Sequence, residues 1–283
     1  MKLIRNVFFV SAMLLLSAPL YYAQVSESAI SKQIDKLRSF SADQRPTATI
    51  KVAADISALP AGPKKVGLAD AVAHLVTEGD QGTAALQAVA STLSQALAQS
   101  PVPAKKDAVP MPYLDLAKLV RYENVTATLN DPLFAKATQT LADNDAEIAK
   151  VDFTLKDLQG KKVTLSELRG KIVMVNFWAS WCVPCRLEMA DLQAIYTHFQ
   201  SQGLVILSIT DENPFKVGSF LAQANYHPPV LLDSDGKVHK LFHVDGIPRT
   251  FVFNRDGKLV AQAIDQCTQH QFLEMLSKTD FHP

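Results

Sequence analysis

Two cysteines three positions apart, in Cys182-Val183-Pro184-Cys185, are the residues of this sequence best suited to chemistry. They follow the apolar run Val175-Asn176-Phe177-Trp178, which reads as a buried strand, and precede a stretch of helical periodicity. At the start of a helix, backbone N–H groups without partners and the positive end of the dipole stabilise an anion. Cys182 there is expected to have a lowered pKa and to be the nucleophile. Cys185, one turn inside, is placed to attack the mixed disulfide that Cys182 forms and to release the reduced substrate. Pro184 stiffens the loop between them. The electrons reside in a reversible Cys182–Cys185 disulfide, so no separate cofactor is expected.

Two other uses of the pair compete with exchange chemistry. A purely structural bridge closing so short a loop removes little unfolded-state entropy. A structural zinc needs four ligands, and no second Cys-x-x-Cys or suitably spaced Cys/His group occurs, so no metal is expected. His239 and His243, four apart on an expected helix, read as solvated surface. A non-enzymatic metal chaperone using the two thiolates as soft ligands stays open as an alternative. The third cysteine, Cys267, has no partner in the chain and reads as a small buried apolar residue, an intermolecular bridge being the alternative. Three cysteines are too few for a disulfide framework, so the fold must stand on its core.

The elements that position the pair begin near Val151, where short β-branched runs alternate with helical stretches. Strands are expected at Asp152 to Lys156, Lys161 to Leu165, Ile172 to Trp178, Leu204 to Thr210, Val230 to Asp233, Thr250 to Asn254 and Leu259 to Ile264. Helices are expected at Val183 to Gln202, Pro214 to Ala224, Val238 to His243 and Gln269 to Lys278. The turn Arg255-Asp256-Gly257-Lys258 is a hairpin signal. The pattern predicts an α/β domain over residues 150–283 with a central mixed sheet flanked by helices.

Ahead of it, residues 24–149 form an alanine-rich region with apolar residues at helical spacing: Ile30, Ile34, Leu37; Leu68, Val72, Leu75, Val76; Leu86, Val89, Leu93, Leu97. A small all-α bundle is expected, with an extended segment at Pro101, Pro103, Pro110 and Pro112 and a further helix starting at Asp131-Pro132. Residues 1–23 have the layout of a secretory signal, with Lys2 and Arg5 ahead of the apolar run Val7 to Leu16 and a small-residue site near Ala23. An uncleaved anchor is the alternative, and both place the remainder outside the cytoplasm. Lys plus Arg and Asp plus Glu both total 28, so no net field attracts nucleic acid.

The stretch from Val175 through Trp181, Cys182 and Cys185 to Glu188 resembles the active-site segment of the TlpA/ResA branch of extracytoplasmic thioredoxins. Gly246-Ile247-Pro248-Arg249-Thr250-Phe251 is similar to that family's cis-proline loop, and Asp152-Phe153-Thr154-Leu155 to its opening strand. The resemblance covers about 151–278. It implies a thioredoxin-like fold, with Pro248 cis beside the dithiol, the Ile247 backbone presented to an incoming peptide and Trp181 on the recognition surface. Without the cysteines, Pro248 would read as an ordinary turn proline. By this resemblance, the position of Asn176 is one where classical thioredoxins carry a buried aspartate, and Glu188 is the candidate to replace it. Glu188 shares a helical stripe with Leu192, Ile195 and Phe199, so a partly buried carboxyl of raised pKa is expected to relay the proton of Cys185. A solvated Glu that merely complements the dipole is the alternative.

The Val-Pro dipeptide carries no His or Lys to stabilise the thiolate further, which predicts a potential nearer thioredoxin, at about −270 mV, than DsbA, at about −120 mV. A reductant of disulfides in exported proteins is expected, recharged by a membrane thiol donor, with apocytochrome c among the substrates that the resemblance implies. An isomerase or oxidase of exported proteins, with the helical region as a dimerisation or substrate-holding module, is the alternative.

Overall fold

The computed structural model describes residues 25–106 and 108–280, so the leader expected at residues 1–23 lies outside the described residues. Among the described residues no helix is long and apolar enough to cross a membrane. Among the described residues six α-helices precede the first strand: α1 (Glu27–Lys36), α2 (Arg45–Ser57), α3 (Pro63–Val76), α4 (Gly82–Gln99), α5 (Met111–Tyr122) and α6 (Pro132–Ile148). Their starts follow the local chemistry of the chain. The Ser26 hydroxyl accepts the Ala29 N–H at α1, and the Asp131 carboxylate accepts the Leu133 N–H at α6, with Pro132 in the first turn.

Two helices depart from the expected pattern. α2 buries Thr49, Val52, Ala53 and Ile56 at helical spacing, but its β-branched residues dilute the signal. α5 begins at Met111, so Pro112 belongs to the first helical turn and the extended segment ends before it. Proline is tolerated there because the first N–H groups of a helix have no intrahelical acceptor to lose. Apolar faces from α1 to α6 meet in one core that includes Ile30, Ile56, Val76, Leu93, Leu97 and Leu116.

The second half is a seven-stranded mixed sheet. Its strands are β1 (Thr154–Asp157), β2 (Lys162–Thr164), β3 (Ile172–Phe177), β4 (Leu204–Thr210), β5 (Val230–Leu232), β6 (Arg249–Phe253) and β7 (Leu259–Ala263), in the spatial order β2-β1-β5-β4-β3-β6-β7. Helices α7 (Val183–Phe199), α8 (Pro214–Leu221), α9 (Lys237–Leu241) and α10 (Gln269–Ser277) connect or follow them. α7 gives way to a 3₁₀ turn at Gln200–Gln202, short of the uniform helix expected to Gln202.

β3 is the central strand, parallel to β4 and antiparallel to β6, and all six of its residues are buried. The two-residue pleat sends Ile172 and Met174 to the face packed by Leu192, Ile195 and Phe272, and Val173, Val175 and Phe177 to the face packed by Phe242 and Phe251. A strand buried on both faces accounts for the nearly continuous apolar run in the sequence. β6 and β7 form the expected hairpin, where Gly257 sits at φ 73° and a Cβ would run into the Arg169 guanidinium.

Candidate active site

The end of β3 delivers the chain through Trp178-Ala179-Ser180-Trp181 to Cys182, the N-cap of α7. Cys182 and Cys185 are joined as a disulfide. Cys182 Sγ accepts the Cys185 backbone N–H at 3.2 Å, the position that a Ser or Asp oxygen occupies at an ordinary N-cap. The sulfur therefore already receives one of the donors that stabilise negative charge at a helix start. Cys182 is 4% exposed and Cys185 fully buried, so an incoming group meets Cys182 first. Around it Trp181, Val183 and Leu187 are all more than half exposed and present an apolar rim, while Trp178 is buried beneath the pair and packs on Phe220.

The loop facing the sulfurs comes from the start of β6. The Ile247–Pro248 peptide is cis, and the Ile247 carbonyl oxygen lies 3.7 Å from Cys182 Sγ. The structure thus gathers Trp181, Cys182, Pro184, Cys185, Ile247 and Pro248 at one end of the sheet. Glu212, which carried no signal in the sequence, fixes the approach loop. Its carboxylate accepts the Ser180 hydroxyl at 2.9 Å and the Ser180 backbone N–H.

Glu188 lies one turn beyond Cys185 on the buried face of α7 and is fully shielded from solvent. Its Oε1 accepts from Asn176 Nδ2 at 2.7 Å, and its Oε2 accepts the Cys267 backbone N–H at 3.1 Å. Asn176 Nδ2 also donates to Thr250 Oγ1 at 3.0 Å, across the β3–β6 pairing. Asn176 is thus the amide partner of the Glu188 carboxylate. Burial pushes the Glu188 carboxyl up to about 8, against the two hydrogen bonds, which favour the ion. A solvated surface carboxylate is thus excluded for Glu188.

Cys267 is buried in the core under α10, and burial together with the Glu188 charge pushes its thiol well above the ordinary value. Of the two histidines read as solvated surface, His243 is exposed as expected, whereas His239 is largely buried. His239 Nδ1 lies 2.7 Å from the buried Asp233 carboxylate and its ring meets Phe177 edge-on, while His243 Nε2 lies 2.8 Å from Glu147. Sequence spacing could not show this, because the partners are distant or lie on another element. Among the described residues one group of three metal-type donors occurs, Asp70, His74 and Asp115, in the helical region. The Lys118 ammonium stands 3.6 Å from Asp115 there.

Residues 141–262 match the AhpC/TSA family. The thiol-disulfide oxidoreductase ResA of Bacillus subtilis (strain 168) is 33% identical over 153 residues, 53% of this chain and 83% of that protein. ResA of Bacillus thuringiensis subsp. konkukian (strain 97-27) is 34% identical over 128 residues, 45% of this chain and 74% of that protein. Among solved structures, StoA from Bacillus subtilis aligns with a TM-score of 0.41 and 26% identity, covering 44% of this chain and 96% of that one.

Proposed function

Because the chain belongs to the ResA family of thiol-disulfide oxidoreductases, we propose that it is an exported reductant of protein disulfides in which Cys182 attacks and Cys185 resolves. The observation that carries this reading is the place of Cys182 Sγ, at the N-cap of α7 and 3.7 Å from the Ile247 carbonyl. In the reduced protein, the Cys182 thiolate attacks one sulfur of a substrate disulfide and expels the other as a thiolate, which takes a proton from water. Cys185 then yields its proton to the Glu188 carboxylate and attacks Cys182 Sγ, expelling the second substrate thiolate. The substrate gains two electrons and the protein is left as the Cys182–Cys185 disulfide. A membrane dithiol donor returns the two electrons.

The rim of Trp181 and Pro184 receives the side chains that flank the substrate cystine, and the Ile247 main chain pairs with its backbone. Substrates are exported proteins bearing disulfides, apocytochromes c among them. The leader at residues 1–23, cleaved or retained as an anchor, places the dithiol outside the cytoplasm.

The direction of electron flow is tested by equilibrating the purified protein with glutathione or dithiothreitol buffers. The expected potential lies near that of thioredoxin, at about −270 mV, with insulin reduced in the coupled assay. A potential near that of DsbA, at about −120 mV, would make the protein an oxidant and overturn the reading.

A further inference from the structure

The family match at residues 141–262 leaves α1 to α5 outside it, yet α5 reaches the loop that faces the sulfurs. On α5, Lys118 Nζ donates to Asp245 Oδ2 at 2.7 Å with its stem largely buried. Asp245 lies two residues before Ile247. At the other end of the same loop, the Arg249 guanidinium stacks over the Tyr122 ring of α5 at 5.1 Å and the Phe251 ring at 5.2 Å. Arg249 Nη2 donates to Gln262 Oε1 at 2.6 Å, and Gln262 Nε2 donates to Asp145 Oδ1 of α6 at 2.7 Å. Asp145 also accepts from the Tyr122 hydroxyl at 2.9 Å and from Arg121. The loop from Asp245 to Arg249 is thus held at both ends by α5 and α6.

A second contact reaches the other side of the site. In the turn after α3, the Gly79 N–H donates to the Gln266 carbonyl at 2.9 Å and Thr77 Oγ1 to Asp265 at 3.1 Å. The next residue, Cys267, gives its N–H to Glu188.

We infer that the helical region is a positioning element for protein substrates, with Lys118 holding Asp245 so that the Ile247 backbone stands where an incoming peptide must pair with it. This rests on the exchange reading of Cys182 and Cys185. A loop of this kind is free to move unless its ends are fixed, and small displacements at a binding backbone cost rate steeply. Two charge-bearing anchors, Lys118 on Asp245 and Arg249 stacked on Tyr122, supply that fixation against α5. Burial acts to raise the Asp245 carboxyl, but Lys118 and Arg249 outweigh it and hold it below the usual range, so the anion that Lys118 grips persists at neutral pH.

The test is steady-state kinetics of the full chain with insulin and, separately, with bis(2-hydroxyethyl) disulfide, which has no peptide backbone to pair with the loop. Lys118→Ala is expected to raise KM for insulin about five- to tenfold with kcat nearly constant, and to leave turnover of the small disulfide within about twofold of the parent. Lys118→Arg should restore the insulin KM, and Asp245→Asn should reproduce the defect, with the double variant no worse than either single one. An unchanged insulin KM in Lys118→Ala and Asp245→Asn, whether or not the melting temperature falls, overturns the inference. Equal losses on both substrates overturn it too, because they reflect damage to the dithiol itself. Failure of the parent protein to reduce insulin would instead count against the proposed function.

Discussion

Exchange of Cys182 for serine leaves the reduced protein unable to open a disulfide, a loss on the order of 10³-fold or more in insulin reduction. The size of the effect follows from geometry. Cys185 is fully buried behind Cys182, and Cys267 is buried in the core with its thiol raised, so neither substitutes as the attacking sulfur. The replacement is mild for the fold, because a serine hydroxyl at the N-cap accepts the Cys185 N–H that Cys182 Sγ accepts now. Loss of activity with an unchanged melting temperature in the reduced state therefore isolates the chemistry. Cys185→Ala is expected to behave differently, since its first attack is intact and mixed disulfides accumulate on Cys182. Residual activity in Cys182→Ser approaching that of the parent would assign the attack to another thiol.

Glu188→Gln is expected to slow the resolving step roughly 10²-fold near neutral pH and to flatten its pH profile. With its carboxyl pushed up to about 8, Glu188 changes protonation close to neutral pH, where the proposed relay has it take up and return the proton of Cys185. Resolution needs the carboxylate and so accelerates as pH rises through about 8. Recharging needs the acid, which protonates the departing Cys185 thiolate, and slows over the same interval. Glutamine supplies neither form. It still fits the site once the Asn176 amide turns over: the glutamine oxygen accepts from the Cys267 N–H, and its amide donates to the Asn176 oxygen.

Stability provides a second readout with a fixed sign. The folded-state value lies above the ordinary 4.5, so the native protein holds the proton more tightly than the unfolded chain. The contribution of Glu188 is fully present below about pH 4.5 and is lost as pH rises through about 8. The melting temperature of Glu188→Gln relative to the parent should therefore climb across this window. Asp70 and Glu123, raised by burial to about 6 and about 7, titrate in both proteins and cancel in the difference. Parallel melting profiles together with an unchanged rate profile would remove Glu188 from the proton path.

What could be read from the sequence follows the range of the interactions involved. The α/β half was legible because its strands alternate with helices in runs bounded by turn residues, and because β3 is apolar throughout. Cys182 and Cys185 were legible because the strand-to-helix junction that gives them their setting is local. Glu188 could be placed on the inner face of α7 by counting along the helix, but its bond to Asn176 depends on how α7 lies across β3, which no single-chain periodicity encodes. Arg249 stood in the quoted Gly246–Phe251 motif without an assigned role, since Tyr122, Gln262 and Asp145 come from three other elements. The helix α5 was hidden by Pro112, and with it Lys118 and its grip on the loop.

Disulfide exchange by this protein requires above all an ionised Cys182 at the start of α7. Alkylation of the reduced protein by iodoacetamide across pH, with the modified cysteine assigned by mass spectrometry, measures this directly. Cys182 is expected to react first, with a midpoint below that of an ordinary cysteine, while Cys185 and Cys267 remain slow. A midpoint at or above the ordinary cysteine value, or earlier modification of Cys185, would contradict the account.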